Sequence, residues 1–393
     1  MIVTDLVSPQ ATLPDDGSAG TLVGRIWDPA VRGPSPVLVR DDGVYDVSDS
    51  FATVRDLCEQ PDPSGAVREA GGRRVGDLAD ILANTAPTGR DESRPWLLAP
   101  VDLQTLKAAG VTFAVSMVER VIEERVRGDL EAAAAMRAEI LGEIGADLAQ
   151  IRPGSPEAAE LKRFLTDRGV WSQYLEVGIG PDAEIFTKAP TLAAVGTGVP
   201  VGVPETSQWN NPEPEVALAV SSAGRVVGAM LSNDVNLRDV EGRSALLLPQ
   251  AKDNNASCAL GPFLRLFDDS FDLDSVRALT VRLEIDGEDE FHLDGVSEMA
   301  QISRDPGDLV AQLVSRDHQY PDGAVLMLGT MFAPVVDRDV VGKGFTHRRG
   351  DVVRISTGPL GSLVNTVEYC HRCEPWTFGL RALMSNLADR KLL

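Results

Sequence analysis

Apolar and polar positions alternate along this chain in two different rhythms. From about residue 185, short runs of Val, Leu, Ile and Ala are cut by Gly, Pro, Asn and Asp. Runs of four to eight such residues between turn formers mark β-strands. The spacing predicts strands over 214–220, 226–231, 279–285, 325–328, 352–356 and 363–367. No series of parallel β–α–β units is legible. Upstream, residues 118–144 are rich in Glu, Arg, Ala and Leu with opposite charges four apart, which predicts a helix with a solvated face. Ser155-Pro156-Glu157 reads as a helix start, with serine as cap and proline at the first position, and Gly169 as the stop.

The first hundred residues have a finer texture. Thr21 to Trp27 and Pro36 to Arg40 read as strands, and Asp41-Asp42-Gly43 is a turn that returns the chain into Val44–Val47 as a hairpin. Residues 50–58 suit a short helix. Residues 85–100 are polar and turn-rich and read as a linker. The expected organisation is therefore a small α/β N-terminal domain over 1–99 and a catalytic domain over 100–393. The fold class is α+β, mainly β, with helices concentrated in the first part of the larger unit.

Charge narrows the partners. The chain has 393 residues, and 37 Lys and Arg against 59 Asp and Glu leave a net charge of −22. Such a field repels nucleic acid and anionic lipid, so neither is expected as a partner. It also repels small anions, so a site for an organic acid must invert the sign locally with a metal ion or placed lysines. Cys58, Cys258, Cys370 and Cys373 are too few for a disulfide framework, and a reducing cytoplasm is the expected setting. Cys370 and Cys373 form a CxxC without a second ligand pair, which favours inert thiols over zinc. The opening MIVTDLVSPQ has no basic-then-apolar pattern of a secretory leader, and no apolar run approaches ~20 residues.

The chemistry concentrates in Asn210-Asn211-Pro212-Glu213-Pro214-Glu215 and the Val216–Val220 run that follows. On a strand, Glu213, Glu215, Ala217 and Ala219 share one face, and Val216, Leu218 and Val220 share the other. Two neighbouring carboxylates with only alanines beyond them make a polar hole, and like charges so close need a cation or a proton between them. A hairpin through Ser222-Ala223-Gly224 returns the chain to Asn233-Asp234. Three carboxylates then converge with oxygen-only ligation, which suits Mg²⁺ first, then Mn²⁺ or Ca²⁺. A pair of glutamates on an exposed edge strand would give the same pattern.

These residues carry a family resemblance. Glu213-x-Glu215, then Asn233-Asp234-Val235-Asn236-Leu237-Arg238-Asp239, Lys252 and Gly261-Pro262-Phe263 resemble the ExE, NDxSxRD, K and LGP signature of the fumarylacetoacetate hydrolase superfamily. Phe186-Thr187-Lys188, Leu328-Gly329-Thr330 and the Gly350–Asn365 stretch resemble further segments in the same order. The resemblance covers roughly residues 100–370. It implies a mixed β-sandwich roll with a helical insert, a divalent metal on Glu213, Glu215 and Asp234, and a homodimer or homotetramer. Family hydrolases carry a GLNYxxHxxE segment whose histidine and glutamate activate water. The matching run here is Gly110 to Glu119, with Ser116 in the histidine position, and serine is no general base near neutral pH.

That departure and the long helical stretch after Glu119 resemble the sugar-acid dehydratase branch, which converts 2-keto-3-deoxy-pentonates of xylonate or arabinonate type to 2,5-dioxopentanoate. The resemblance implies a small anionic keto-acid substrate. Glu184 is the candidate base, Lys188 and Lys252 neutralise substrate and enolate, and Thr330, Arg238 and Ser116 are candidate substrate contacts. Ser303, Arg304 and His347 are secondary candidates, whereas His292, His318 and His371 read as surface residues. Competing readings are hydrolysis of a 2,4-diketo acid on the same fold, Schiff-base chemistry at Lys252, and a noncatalytic sugar-acid-binding module.

Overall fold

The computed structural model describes residues 7–113, 117, 151–167, 169, 171–330, 332, 336–338 and 344–393. The helix expected over 118–144 and Ser116 lie outside the described residues. Strands β1 (Leu22–Asp28), β2 (Gly33–Arg40), β3 (Gly43–Asp46) and β4 (Arg73–Gly76) form a meander, and β5 (Trp96–Leu98) pairs with β1. They are followed by β6 (Thr105–Gly110), β7 (Glu184–Ala189), β8 (Val201–Val203), β9 (Asn210–Asn211), β10 (Pro214–Val220), β11 (Val226–Asp234) and β12 (Asn236–Leu237). The remaining strands are β13 (Cys258–Leu266), β14 (Thr280–Asp286), β15 (His292–Glu298), β16 (Ala324–Met327), β17 (Val352–Thr357) and β18 (Gly361–Tyr369).

Eleven of these strands make one sheet in the order β4-β3-β2-β1-β13-β11-β10-β16-β6-β7, with β5 attached to β1. A second sheet of five runs β15-β14-β17-β18-β8, and β9 and β12 form a short ribbon. Pairing is antiparallel except for β16 with β6 and β18 with β8. The result is the expected α+β fold dominated by strands. The strands of the first 99 residues are continuous with the rest: Leu22 and Val23 of β1 pair with Arg265 and Leu264 of β13.

The two faces of the large sheet are both covered. Val216, Leu218 and Val220 pack against Leu283, Ile285, Val353, Ile355 and Leu363 of the second sheet. Ala217 and Ala219, on the other side of β10, pack in a cluster with Val54, Leu57 and Leu38 from the N-terminal residues. The central strands are thus buried on both sides, which is why their sequences are near-continuous apolar runs. The hairpin of β14 and β15 is half-buried, and there Val281, Leu283 and Ile285 alternate with outward Thr280, Arg282 and Glu284.

Three expectations change. The 85–100 stretch is not a free linker. The Asn84 amide donates to the carbonyls of Asp91, Arg94 and Pro95 at 3.0–3.1 Å, and the segment ends in β5. Its polar sequence reflects a pinned loop. Strand β13 was not expected because Gly261-Pro262 interrupts it, yet it lies between β1 and β11 with every residue buried. The helix expected over 50–58 starts later, at Val54, and the start expected at Ser155-Pro156 is present. Thr53 and Asp56 form a reciprocal capping box on helix Val54–Cys58, and the Ser155 hydroxyl accepts from Ala158 N–H as helix Pro156–Asp167 begins.

Leu218 is fully buried between Ala229 and Leu326 on the neighbouring strands. Leu218→Ala should lower unfolding free energy by about 2–5 kcal/mol, read from the urea midpoint, because neither sheet can collapse into the cavity left behind.

Candidate active site

The hairpin of β10 and β11 builds the site. Asn233 pairs with Pro214 and Ser232 with Glu215, and Asp234 N–H donates to the Glu213 carbonyl at 3.0 Å. That register brings the carboxylates of Glu213, Glu215 and Asp234 together, with ligand oxygens all within 4.8 Å of one another. All three residues are buried. They are therefore not glutamates of an exposed edge.

Two lysines close the cluster. Lys252, at the end of helix Leu248–Lys252, donates to Glu213 Oε2 and, at 2.9 Å, to Asp234 Oδ2. Lys188 on β7 is fully buried. Its Nζ donates to the carbonyls of Val235, at 3.0 Å, and Lys252, and to Ser257 Oγ at 3.3 Å. The same ammonium lies 2.9 Å from Asp234 Oδ1, yet that oxygen has no aligned hydrogen-bond donor. We read the pair as held by charge, with the oxygen still open to a ligand.

The electrostatics follow from burial and charge. Burial, then the neighbouring Asp234 and Glu213, push the Glu215 carboxyl well above the usual carboxylate range, although it accepts from Gly329 N–H at 2.7 Å. Asp234 moves the other way: burial raises it, but Lys188 and Lys252 outweigh that and hold it low. Burial opposes the charge on Lys252, and Asp234, Glu213 and Glu241 more than compensate, so its ammonium titrates above the ordinary lysine range. A trio of buried carboxylates, one raised and one with an open oxygen, is an oxygen-only donor set that fits a hard divalent cation such as Mg²⁺.

The surroundings brace this cluster. Asn236 donates to Glu213 Oε1 at 3.0 Å and to Glu241 at 2.6 Å, fixing the orientation of the first carboxylate. Gly329 has φ of +89°, and a side chain there would collide with Thr112 and the Ala109 carbonyl, so the loop can present its N–H to Glu215 only with glycine at that position. Thr112 in turn donates to the Leu328 carbonyl at 2.7 Å.

Glu184 and Phe186 share one face of β7, and the pairing with β6 slips by one residue at Lys188, which sits at a bulge. Lys188 reaches Asp234, and the Phe186 ring lies 5.4 Å from Lys252 Nζ. Glu184 is half-buried, four residues before Lys188 on the same strand. Thr330 directly follows Gly329, and its hydroxyl accepts from Phe332 N–H at 3.0 Å. The Arg238 guanidinium stacks 4.5 Å over the Trp209 ring. Ser116 falls outside the described residues. Of the secondary candidates, Arg304 donates to the backbone carbonyls of Val177, Gly180 and Asp182, so it caps the end of helix Gln173–Ile179. Ser303 donates to the Thr112 carbonyl at 2.7 Å. His347 is buried beside Asp351, and burial pulls its pKa down.

Sequence reasoning did not single out Asn211, Asn233 or Asn236 as polar groups of the site. Asn211 Oδ1, Asn233 Nδ2 and Asn236 Oδ1 are buried without a hydrogen-bond partner among the described residues. Unsatisfied buried amides beside a metal-type cluster are what a hydroxylated ligand or its water would complete. Their signal was present in Asn210-Asn211 and Asn233-x-x-Asn236, but amide side chains are common in turns and gave no reason to choose them.

Burial has the opposite effect on the thiols. It pushes Cys258 and Cys373 up to about 12 and Cys370 up to about 11, so none is a thiolate at neutral pH.

A buried three-carboxylate, two-lysine centre in a strand-dominated fold is a donor set that fits a divalent metal. Comparison with known proteins places it. Residues 175–368 match the family model of the fumarylacetoacetate hydrolase C-terminal domain, so this part of the chain carries that domain. A 2-dehydro-3-deoxy-D-arabinonate dehydratase of Saccharolobus solfataricus is 31% identical over 185 residues, covering 47% of this chain and 58% of that protein. A probable 2-keto-3-deoxyxylonate dehydratase of Haloferax volcanii is 30% identical over 194 residues, covering 49% and 63%. The matched part thus spans less than two thirds of either relative. A solved structure of 2-keto-3-deoxy-D-arabinonate dehydratase complexed with magnesium and 2,5-dioxopentanoate superposes with a TM-score of 0.61 at 22% identity, over 88% of this chain and 99% of that one, which establishes the shared fold.

Mg²⁺ or Mn²⁺ should raise the melting temperature of the purified protein, and Glu215→Gln should weaken that binding at least about tenfold. Because the raised Glu215 carboxyl keeps its proton to higher pH than a free glutamate, the cation must displace it as pH falls. Affinity should therefore keep rising with pH above the range where an ordinary glutamate is already ionised, with proton release seen by calorimetry in two buffers. A pH-independent affinity would contradict the raised carboxyl.

Proposed function

We propose that the protein is a metal-dependent dehydratase that converts a 2-keto-3-deoxy-pentonate of arabinonate or xylonate type to 2,5-dioxopentanoate. The observation that carries this reading is the convergence of Glu213, Glu215 and Asp234 with Lys188 and Lys252 in one buried cluster. The names of the two curated relatives supply the substrate class.

A divalent cation held by the three carboxylates would supply Lewis-acid polarisation of the ketone and carboxylate of a 2-keto acid. The chain's own groups do the rest. Lys188 and Lys252 carry the positive charge that an anionic substrate needs in a chain of net charge −22. Glu184, on the strand that carries Lys188 and on the face of Phe186, takes the proton from carbon 3. Hydroxide leaves carbon 4 with a proton from an acid, giving a 3,4-alkene conjugated with the ketone; a proton then leaves carbon 5 and one returns to carbon 3, and the resulting 4,5-enol takes a proton at carbon 4 and loses its hydroxyl proton to become the aldehyde. Thr330, next to the loop that contacts Glu215, hydrogen-bonds the substrate carboxylate. Arg238, which stacks on Trp209 and starts the short helix that carries Glu241, is also a substrate contact. Ser116 is a further substrate contact.

Two competing chemistries are disfavoured by particular residues. A Schiff base needs a neutral lysine, whereas Lys252 is paired with two carboxylates that stabilise its ammonium. Hydrolysis of a 2,4-diketo acid needs a base in the position that Ser116 occupies. A homo-oligomer in the cytoplasm belongs to the same proposal. No helix of the described residues is long and apolar enough to cross a membrane.

Incubation with 2-keto-3-deoxy-D-arabinonate or 2-keto-3-deoxy-D-xylonate and Mg²⁺ should yield 2,5-dioxopentanoate, measured by its aldehyde, and EDTA should stop it. Absence of product from both acids in folded, Mg²⁺-binding protein would reject the substrate class. Glu184→Gln should lower kcat by about 10²–10⁴ while leaving the Mg²⁺-induced rise in melting temperature intact. Equal loss of Mg²⁺ binding would assign Glu184 to the metal instead. Wild-type turnover of acylpyruvate would favour the hydrolase.

A further inference from the structure

A second cavity, of about 610 Å³, lies where β1 and β5 meet the segment Cys373–Phe378 and the loop 192–200. Its volume is that of a small-molecule site. None of Glu213, Glu215, Asp234, Lys188 or Lys252 lines it.

Its wall is built from an alternation and a register. Arg25 and Trp27 sit two apart on β1, and their partners on β5 are Leu98 and Trp96, so all four side chains share one face of the sheet. The Trp27 and Trp96 rings stack with centroids 5.7 Å apart, and Phe378 meets Trp27 edge-on at 5.1 Å. Arg90 lies 4.7 Å over Trp96 and pairs with Glu374. Trp376, at the rim, is 46% exposed.

Arg25 is the anomaly. It is 5% exposed, and its Nε and Nη1 have no hydrogen-bond partner among the described residues. The nearby carboxylate of Asp102 spends its oxygens on Val54, Arg55 and Leu103 N–H groups at 2.6–3.0 Å. An unpaired buried guanidinium is costly, and one that lines an aromatic cavity is explained by an anion that completes it. Arg25, Arg32 and Arg90 face Glu92 and Glu374 around the cavity, a balance of one positive charge. That balance suits a monoanion rather than a phosphate dianion.

We propose that this cavity binds a flat aromatic monocarboxylate, with its ring among Trp27, Trp96, Trp376 and Phe378 and its carboxylate on Arg25. The floor includes Asn255 and Ala256 of the loop that follows Lys252, and Asn255 donates to the carbonyls of Cys370 and Glu374. A ligand here therefore presses on the segment that carries the active-site lysine, whatever reaction that site performs.

The test is calorimetric titration of the full chain with 2-naphthoate and with its neutral analogue 2-naphthamide, followed in parallel by quenching of tryptophan fluorescence. The acid should bind at least tenfold more tightly than the amide. Arg25→Met should remove that preference; because it also takes the cationic neighbour from the buried Asp102, the folded state of the variant is checked by its melting temperature, and the ratio of acid to amide affinity, which such destabilisation does not set, is the readout. Arg25→Lys should keep an intermediate preference, and Trp96→Leu should weaken acid and amide alike. Equal affinity for the two probes, or an undiminished preference in Arg25→Met, overturns the proposal. So does acid binding that weakens as protein concentration rises and the chain self-associates, which would assign the cavity to a second copy.

Discussion

The structure turns on the problem of keeping three carboxylates buried side by side. Glu213, Glu215 and Asp234 sit within 4.8 Å of one another in the middle of a sheet covered on both faces. Water cannot screen their repulsion there, so the cost must be met by opposite charge or by protons. Lys252 bridges Glu213 and Asp234, Lys188 lies against Asp234, and Glu215 is left with one backbone N–H and a raised pKa. Each lysine is itself buried and depends on the same carboxylates, so the five groups are mutually necessary. The arrangement is balanced as charge and incomplete as hydrogen bonding, which is the state expected of a site that receives a cation and a ligand.

The rest of the fold supplies rigidity to that cluster. The β10–β11 register sets the spacing of the acids, β13 walls one side, and the parallel pairing of β16 with β6 delivers the Leu328–Gly329 turn to Glu215. The second sheet covers the apolar face of β10 with Leu283, Ile355 and Leu363. The N-terminal residues cover the other face and extend the same sheet through β1. They are therefore part of the packing that keeps water from the alanine side of the acidic strand.

Much of the centre was readable before any coordinates. Glu213 and Glu215 at a spacing of two, followed by alanines, fixed a polar face on an otherwise apolar strand, and the turn at Ser222-Ala223-Gly224 forced the return that brings Asp234 back. These are local rules of pleat and hairpin, and they hold because the strand has only two faces. Strand β13 escaped notice because Gly261-Pro262 looks like a breaker, and β5 escaped because a polar loop pinned by Asn84 resembles a linker. Arg304 looked like a substrate contact because an arginine beside a turn has many uses, and only the carbonyls of residues 177–182 reveal that it caps a helix.

What the chain determined by itself was the period, the turns and the order of the acidic and basic residues, since those depend on neighbours a few positions apart. Tertiary structure alone decided which groups meet across long separations: Lys188 with Asp234, Gly329 with Glu215, and Arg25 with Trp96 at the wall of a cavity. The physical reason is that burial, charge pairing and close approach of backbones are properties of packed surfaces. No residue carries them until distant strands have been laid side by side.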